Sequence, residues 1–150
     1  MVKAGEKEVG STDGMEHTRL TSPYHERWLA QVDPDLDACE AALRSADWDR
    51  LAEVVEGSCL AMHADAMAAR PGILYFQAAT LWAIRAVRGL RRGGLPVFFT
   101  IDAGPHVVAF CPPAELERVC AALSGHPEVA RVIASGIGGD ARLVEEWPPA

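Results

Sequence analysis

Residues 98–110, FFTIDAGPHVVAF, constrain the fold of this chain more than any other segment. Two runs rich in aromatic and β-branched residues flank an Asp-Ala-Gly-Pro turn, and runs bounded in this way indicate β-strands. We therefore predict strands over 95–101 and 106–111, joined by the turn. The chain has to supply an apolar cover for this hairpin. It also has to accommodate Asp102, a carboxylate at the end of a strand with buried character.

The segments that precede the hairpin have helical periodicity. Apolar side chains recur every three or four residues over 23–44, 47–69 and 78–92, which predicts three helices. Ser22-Pro23 predicts the start of the first helix, since a serine oxygen can cap the helix and proline suits its first position. Asp33-Pro34 predicts either a kink or a restart within that helix.

A short helix over 113–123 and a last strand over 129–134 complete the pattern. The order is three helices, two strands, a helix and a strand. Strands and helices segregated in this way predict an α+β sandwich, with helices packed on one face of a mostly antiparallel sheet.

Length and charge narrow the function classes. The 150 residues suit one domain, and the net charge of −7 argues against general binding to nucleic acid or anionic lipid. No apolar run approaches the roughly 20 residues that cross a bilayer. The four cysteines show no CxxC pairing, which predicts reduced thiols in a cytoplasmic protein: Cys39, Cys59, Cys111 and Cys120.

Two segments could carry chemistry, and each has a plain alternative. Asp102 either caps its own turn or serves as a base or substrate orienter on a rigid element. The segment from Ser11 to Met15 is predicted to be a turn after the end of a strand. Its two hydroxyls and its glycine would let backbone N–H groups face an anion, whereas the alternative is an ordinary loop.

Two further motifs are weaker. Gly136–Gly139 could cradle a phosphate, but it lacks the lysine of a P-loop and the spacing of a dinucleotide fingerprint, which favours a flexible turn. Cys59 and His63 lie four residues apart on one helix, a spacing that suits two metal ligands. Because no second pair accompanies them, we expect a packed helix core and predict no metal site.

Four segments, in this order, resemble the C-terminal half of diphosphomevalonate decarboxylases, which belong to the GHMP kinase superfamily. They are GSTDGM (10–15) with TSPYHERW (21–28), LAMHADAMAARPGILYF (60–76), FFTIDAGPHVV (98–108) and the glycine turn at 135–139. The resemblance implies a GHMP-kinase C-terminal-like (ferredoxin-like) domain over 22–150. It also implies that residues 1–21 are the remnant of a preceding N-terminal GHMP domain.

The resemblance implies ATP-dependent decarboxylation of diphosphomevalonate to isopentenyl diphosphate. Asp102 matches the family's catalytic aspartate. The substrate-binding residues implied by the matching segments are Ser11, Thr12, Gly14, Met15, Ala103 and Gly104. ATP and Mg²⁺ would be bound mainly by the N-terminal half, whose glycine- and serine-rich phosphate loop has no counterpart in this sequence.

The expected partners are therefore diphosphomevalonate and either an N-terminal GHMP half-protein or a second copy of the chain, without nucleic acid or membrane. Two alternatives remain open. One is a non-catalytic binding module left after loss of the ATP-binding half. The other is a decarboxylase of a monophosphorylated mevalonate, suggested by Thr12 where many bacterial members of the family have arginine.

Overall fold

The computed structural model describes residues 1–2, 8–141 and 143. Within them lie five α-helices, one 3₁₀ helix and a two-stranded antiparallel sheet, which confirms the predicted α+β class. The elements are α1 (Ser11–Thr21), α2 (His25–Ser45), α3 (Trp48–Ala68), α4 (Ala78–Arg92), β1 (Phe98–Ile101), β2 (Val107–Phe110), a 3₁₀ helix (Pro113–Glu115) and α5 (Leu116–Leu123).

The hairpin forms where the two β-rich runs and the turn between them predicted it. Phe98 pairs with Phe110 and Ile101 pairs with Val107, so the strands are in register around the turn. Because neighbouring side chains of a strand point to opposite faces, Ile101 and Val107 share one face and the two phenylalanines share the other. Both strands are shorter than the predicted 95–101 and 106–111.

The helices cover the face that carries Phe99 and Ile101. Phe99 and Val87 of α4 are fully buried in one apolar cluster, together with Cys59, Ile84, Leu95, Val97, Ile101 and Val119. A smaller cluster packs the α2–α3 corner against Phe98, whose ring lies 5.8 Å from that of Trp48. The face that carries Phe99 and Ile101 is therefore buried. On the other face Phe98 is buried under the α2–α3 corner, whereas its partner Phe110 is 46% exposed.

The boundaries of α3 and α4 agree with the sequence pattern to within one residue, and the Asp47 carboxylate caps α3 by accepting the Arg50 N–H at 2.9 Å. The predicted start of α2 is wrong. Ser22 ends α1, and α2 begins at His25 without a side-chain cap. The helix runs through Pro34, so of the two alternatives at Asp33-Pro34 the restart does not occur.

Residues 11–21 form a helix, which corrects the predicted turn between Ser11 and Met15. Its ends suit the helix dipole, with Asp13 in the first turn and Arg19 in the last. The glycine at position 14 suggested a turn, but α1 packs on α3 and this tertiary contact outweighs a weak local propensity. The proposed division of the chain at residue 21 stays a prediction.

The predicted strand over 129–134 is also wrong. Val129 forms an isolated antiparallel bridge with Val2, and the following residues are irregular. A strand needs a continuous hydrogen-bonding neighbour, and residues 3–7, next to that bridge, lie outside the described part of the chain. The sequence also predicts a frayed end at EEWPPA, and those residues lie outside the described part as well. None of the described helices is long and apolar enough to cross a membrane.

Candidate functional site

The turn at 102–105 places Asp102 at the end of β1, exposed to solvent. A main-chain hydrogen bond from the Gly104 N–H to the Asp102 carbonyl, 2.7 Å long, closes the turn. If Asp102 capped its own turn, its side-chain carboxylate would accept this N–H group. The main-chain carbonyl of Asp102 accepts it instead. Ala103 and Gly104 are half-buried within the same turn.

Helix α3 holds the first end of the turn. The Cys59 thiol donates to the carbonyl of Ile101 at 3.6 Å, and Nε2 of His63 lies 3.2 Å from the same oxygen. Cys59 and His63, whose spacing suited two metal ligands, thus both hydrogen-bond to one backbone oxygen, the carbonyl that precedes Asp102. The described residues contain no group of three or more His, Cys, Asp or Glu side chains suited to a metal ion.

Both donors are buried and uncharged near neutral pH. The His63 ring packs on Phe76 with 4.4 Å between ring centroids. Burial lowers the pKa of His63, although its bond to Ile101 and the charge of Asp102 act in the opposite direction. Burial likewise raises the pKa of the Cys59 thiol. A neutral thiol and a neutral imidazole therefore face the carbonyl, because burial disfavours their charged forms.

Helix α4 holds the other end of the turn. The hydroxyl of Thr80, which is fully buried, donates to the Pro105 carbonyl at 2.7 Å and accepts the Gln77 N–H at 3.1 Å. Sequence reasoning missed Thr80. Its one signal was a threonine three residues after the glutamine that precedes α4, a spacing typical of helix capping.

The predicted diphosphate-binding residues lie on the first turn and a half of α1. Ser11, Thr12 and Met15 are exposed, whereas Gly14 is buried. A Cβ atom at Gly14 would come within 2.3 Å of the Tyr75 hydroxyl, so glycine permits this close approach. The unpaired N–H groups of a helix start make this segment suitable for an anion.

Tyr75 connects the two parts of the predicted site. Its ring meets the His63 ring edge to face at 6.1 Å between centroids, while its hydroxyl borders Gly14. Burial raises the pKa of this hydroxyl. The described contacts therefore join α1 to the Asp102 turn through two aromatic side chains, and they include no direct hydrogen bond between the two segments.

Two histidines that the sequence left uninterpreted anchor α1 and the start of α2. The ring of His17 donates from Nε2 to the Pro71 carbonyl at 2.8 Å, and Nδ1 of His25 lies 2.9 Å from the carboxylate of Asp65. Asp65 is almost fully buried, so this contact ties the beginning of α2 to α3. Neither histidine had a recognisable partner in its local sequence.

The remaining candidates lie apart from this arrangement. Gly136–Gly139 is irregular and exposed, and added Cβ atoms at Gly136, Gly138 and Gly139 would meet nothing within 4 Å. An open cleft of about 380 Å³ between α3 and α4 is lined by Asp49, Ala52, Glu53, Glu56, Gly57, Arg88 and Arg91. None of the predicted site residues lines it.

The fold and this turn define an α+β domain that presents a carboxylate at the tip of a helix-covered hairpin. Residues 1–138 match the family described as "Mevalonate 5-diphosphate decarboxylase C-terminal domain", and the chain belongs to this family. The resemblance seen in the sequence is thereby confirmed.

Individual relatives agree with the family. The chain is 32% identical over 113 residues to diphosphomevalonate decarboxylase mvd1 of Aspergillus fumigatus, a match that covers 73% of the chain and 28% of the relative. It is 29% identical over 119 residues to phosphomevalonate decarboxylase of Haloferax volcanii, covering 79% of the chain and 36% of the relative. The chain therefore spans about a third of the length of these proteins.

Solved structures show the same relation. One described as "MDDEF in complex with MVAPP, AMPPCP and Magnesium" superposes with a TM-score of 0.79 at 38% identity, over 83% of this chain and 38% of that one. Another concerns mevalonate diphosphate mediated ATP binding by the decarboxylase of Enterococcus faecalis; its TM-score is 0.74 at 37% identity, over 78% and 36%.

Proposed function

We propose that this chain is the substrate-side domain of an ATP-dependent decarboxylase that converts diphosphomevalonate to isopentenyl diphosphate. The observation that carries the proposal is the exposed Asp102 on a turn whose two ends are bound by buried side chains. ATP would phosphorylate the tertiary hydroxyl of the substrate, and phosphate and carbon dioxide would then leave. Phosphoryl transfer depends mainly on positioning and charge stabilisation, so a fixed carboxylate suits this reaction.

In this proposal Asp102 orients the tertiary hydroxyl and accepts its proton as the oxygen attacks ATP. An ionised carboxylate within hydrogen-bond reach of a hydroxyl can serve both roles. The exposed N–H groups at the start of α1 would bind the diphosphate, since a helix N-terminus stabilises anions. The side of the site formed by this chain then comprises Ser11, Thr12, Gly14, Met15, Ala103 and Gly104.

ATP and Mg²⁺ are assigned mainly to an N-terminal GHMP half, supplied by another chain or by a preceding segment. The names of the solved relatives, which include an AMPPCP and magnesium complex, support these cofactors for the family. The described residues of this chain hold no cluster suited to the metal. The alternative partner is a second copy of this chain, in a homodimer. We also propose a cytoplasmic location.

Reconstitution tests this proposal. The chain would be mixed with the N-terminal half of a relative, and ATP-dependent release of carbon dioxide from diphosphomevalonate would be measured. We expect no activity from the chain alone and measurable activity from the mixture. Asp102→Asn should lower the reconstituted kcat by at least about 100-fold, the usual contribution of a catalytic acid or base.

Asp140→Asn is the matched control, because this carboxylate is also exposed but lies outside the predicted site. It should leave the reconstituted activity unchanged. An Asp102→Asn protein as active as the Asp140→Asn protein would contradict the assignment of Asp102. A folded chain that gives no activity and binds no diphosphomevalonate in calorimetry would instead favour the non-catalytic module.

A monophosphorylated mevalonate is the second candidate substrate. The relative from Haloferax volcanii is named a phosphomevalonate decarboxylase, and Thr12 provides no positive charge for a second phosphate. Competition between the two substrates in the reconstituted mixture distinguishes them. A higher kcat/KM for the monophosphate would transfer the proposal to that substrate, whereas a higher value for the diphosphate would retain the original one.

A further inference from the structure

The peptide bond between Ile101 and Asp102 is the point at which α3 acts on the predicted catalytic residue. A peptide group is planar, so the direction of the Ile101 carbonyl also fixes the Asp102 nitrogen and the position of its Cα atom. Two side chains of α3, Cys59 and His63, hydrogen-bond to this carbonyl oxygen. We propose that His63 is a positioning residue, which orients Asp102 by donating from Nε2 to the Ile101 carbonyl. This inference rests on the proposed catalytic role of Asp102.

The chemistry of the contact defines the state of His63. A carbonyl oxygen can only accept, so Nε2 at 3.2 Å must carry the proton. The ring is 2% exposed, and burial favours its neutral form. A neutral donor orients the peptide without placing a positive charge beside Asp102.

His63 contributes more to this orientation than Cys59. A thiol is a weak donor, and its sulfur lies 3.6 Å from the oxygen, whereas the imidazole N–H is a strong donor at 3.2 Å. The ring is itself held by Phe76 and Tyr75. Tyr75 also borders Gly14 of α1. The His63 ring therefore lies between the two segments predicted to bind substrate, the start of α1 and the Asp102 turn.

Two amide substitutions separate positioning from general stability. The amide nitrogen of glutamine can occupy the place of the histidine Nε2, while that of asparagine corresponds to Nδ1 and falls short of the carbonyl. His63→Gln should keep the reconstituted kcat within about 10-fold of wild type. His63→Asn should lower kcat by about 100-fold, with KM for diphosphomevalonate changed less than about 3-fold, because misplacement of a catalytic group by about 1 Å costs that much. Equal kcat values for the two variants would overturn the proposal.

A measurement on the isolated chain makes the outcome independent of decarboxylase activity. The ¹⁵N chemical shifts of the His63 ring should identify the Nε2–H tautomer in the wild-type protein, and the Nδ1–H tautomer would overturn the proposal. The Asp102 amide resonance should move in His63→Asn and stay close to its wild-type position in His63→Gln. If reconstitution fails even for the wild type, the proposed function fails, and these spectra still decide whether His63 orients the Asp102 peptide.

Discussion

The segments at 102–105 and 136–139 both contain glycine and follow β-rich apolar residues, yet the first is a closed turn and the second is irregular. The first is held by Cys59, His63 and Thr80, donors that come from two helices and act on the carbonyls at its ends. The second is exposed, and its glycines face open space. A turn therefore becomes a rigid support for chemistry through buried polar side chains that lie far away in the sequence.

The largest expected effect comes from loosening the two helices that hold the first turn. The buried carboxylate of Glu56 joins α3 to α4 by ion pairs with Arg88 and Arg91. Glu56→Gln should lower the free energy of unfolding by about 3 kcal/mol, since it leaves part-buried arginines without their counterion. Urea denaturation measures this change. Glu16→Gln, which breaks an exposed pair with Arg19, should cost far less, because solvent screens that pair. Equal costs would show that Glu56 does not join the helices.

The next effect concerns the second anchor of the turn. Thr80→Val keeps the shape of the side chain but leaves the Pro105 carbonyl and the Gln77 N–H without their partner. We expect a loss of about 2 kcal/mol, the cost of unsatisfied buried polar groups. Ser135→Ala is the control next to residues 136–139, because water can replace the exposed hydroxyl of Ser135. Denaturation curves that shift equally for both variants would remove the distinction between the two segments.

A pH series tests the burial of His63 with a smaller effect. Burial lowers the pKa of His63 in the folded protein, whereas the unfolded chain takes up the proton near pH 6.5. As the pH falls below that value the unfolded state binds more protons, so stability decreases by at most about 1.4 kcal/mol per pH unit from this group. His63→Gln lacks this titration. The stability advantage of the wild type over the variant should therefore shrink between pH 7.5 and 5.5. An advantage that grows would contradict a neutral, buried His63.

The smallest effect is expected in the open segment. Gly138→Ala introduces a methyl group that meets no atom within 4 Å, and the backbone there does not require glycine. We expect the free energy of unfolding to change by less than about 0.5 kcal/mol. A thermal melt provides the measurement. A clearly larger loss would show that 136–139 packs in the protein and would weaken the contrast with 102–105.

The sequence predicted the hairpin and four of the five described α-helices because their patterns are local. The β-rich runs around Asp102 and the helical periods over 47–69 and 78–92 need no knowledge of distant residues. α1 was missed because its stability depends on α3, and Gly14, which suggested a turn, serves a close approach to Tyr75. The strand at 129–134 was wrong because a strand depends on its neighbour.

The site was predicted in part. Asp102 and the segment at Ser11 were candidates from their residue types, and the family resemblance implied their roles, which stay predictions. The donors that hold the turn were recognised only as a core pair, or were missed in the case of Thr80. These donors act on the backbone carbonyls of Ile101 and Pro105. A pattern of side chains cannot predict which carbonyls of a fold remain free to accept a side-chain hydrogen bond.

Titration of the ¹⁵N-labelled chain with diphosphomevalonate tests the central claim most directly. If the two segments form one side of a substrate site, the amide resonances of Ser11 to Met15 and of Ala103 and Gly104 should shift together along one binding curve. Those of Gly136, Gly138 and Gly139 should stay in place. Shifts confined to the glycines at 136–139, or no shift at either segment, would contradict the proposed site.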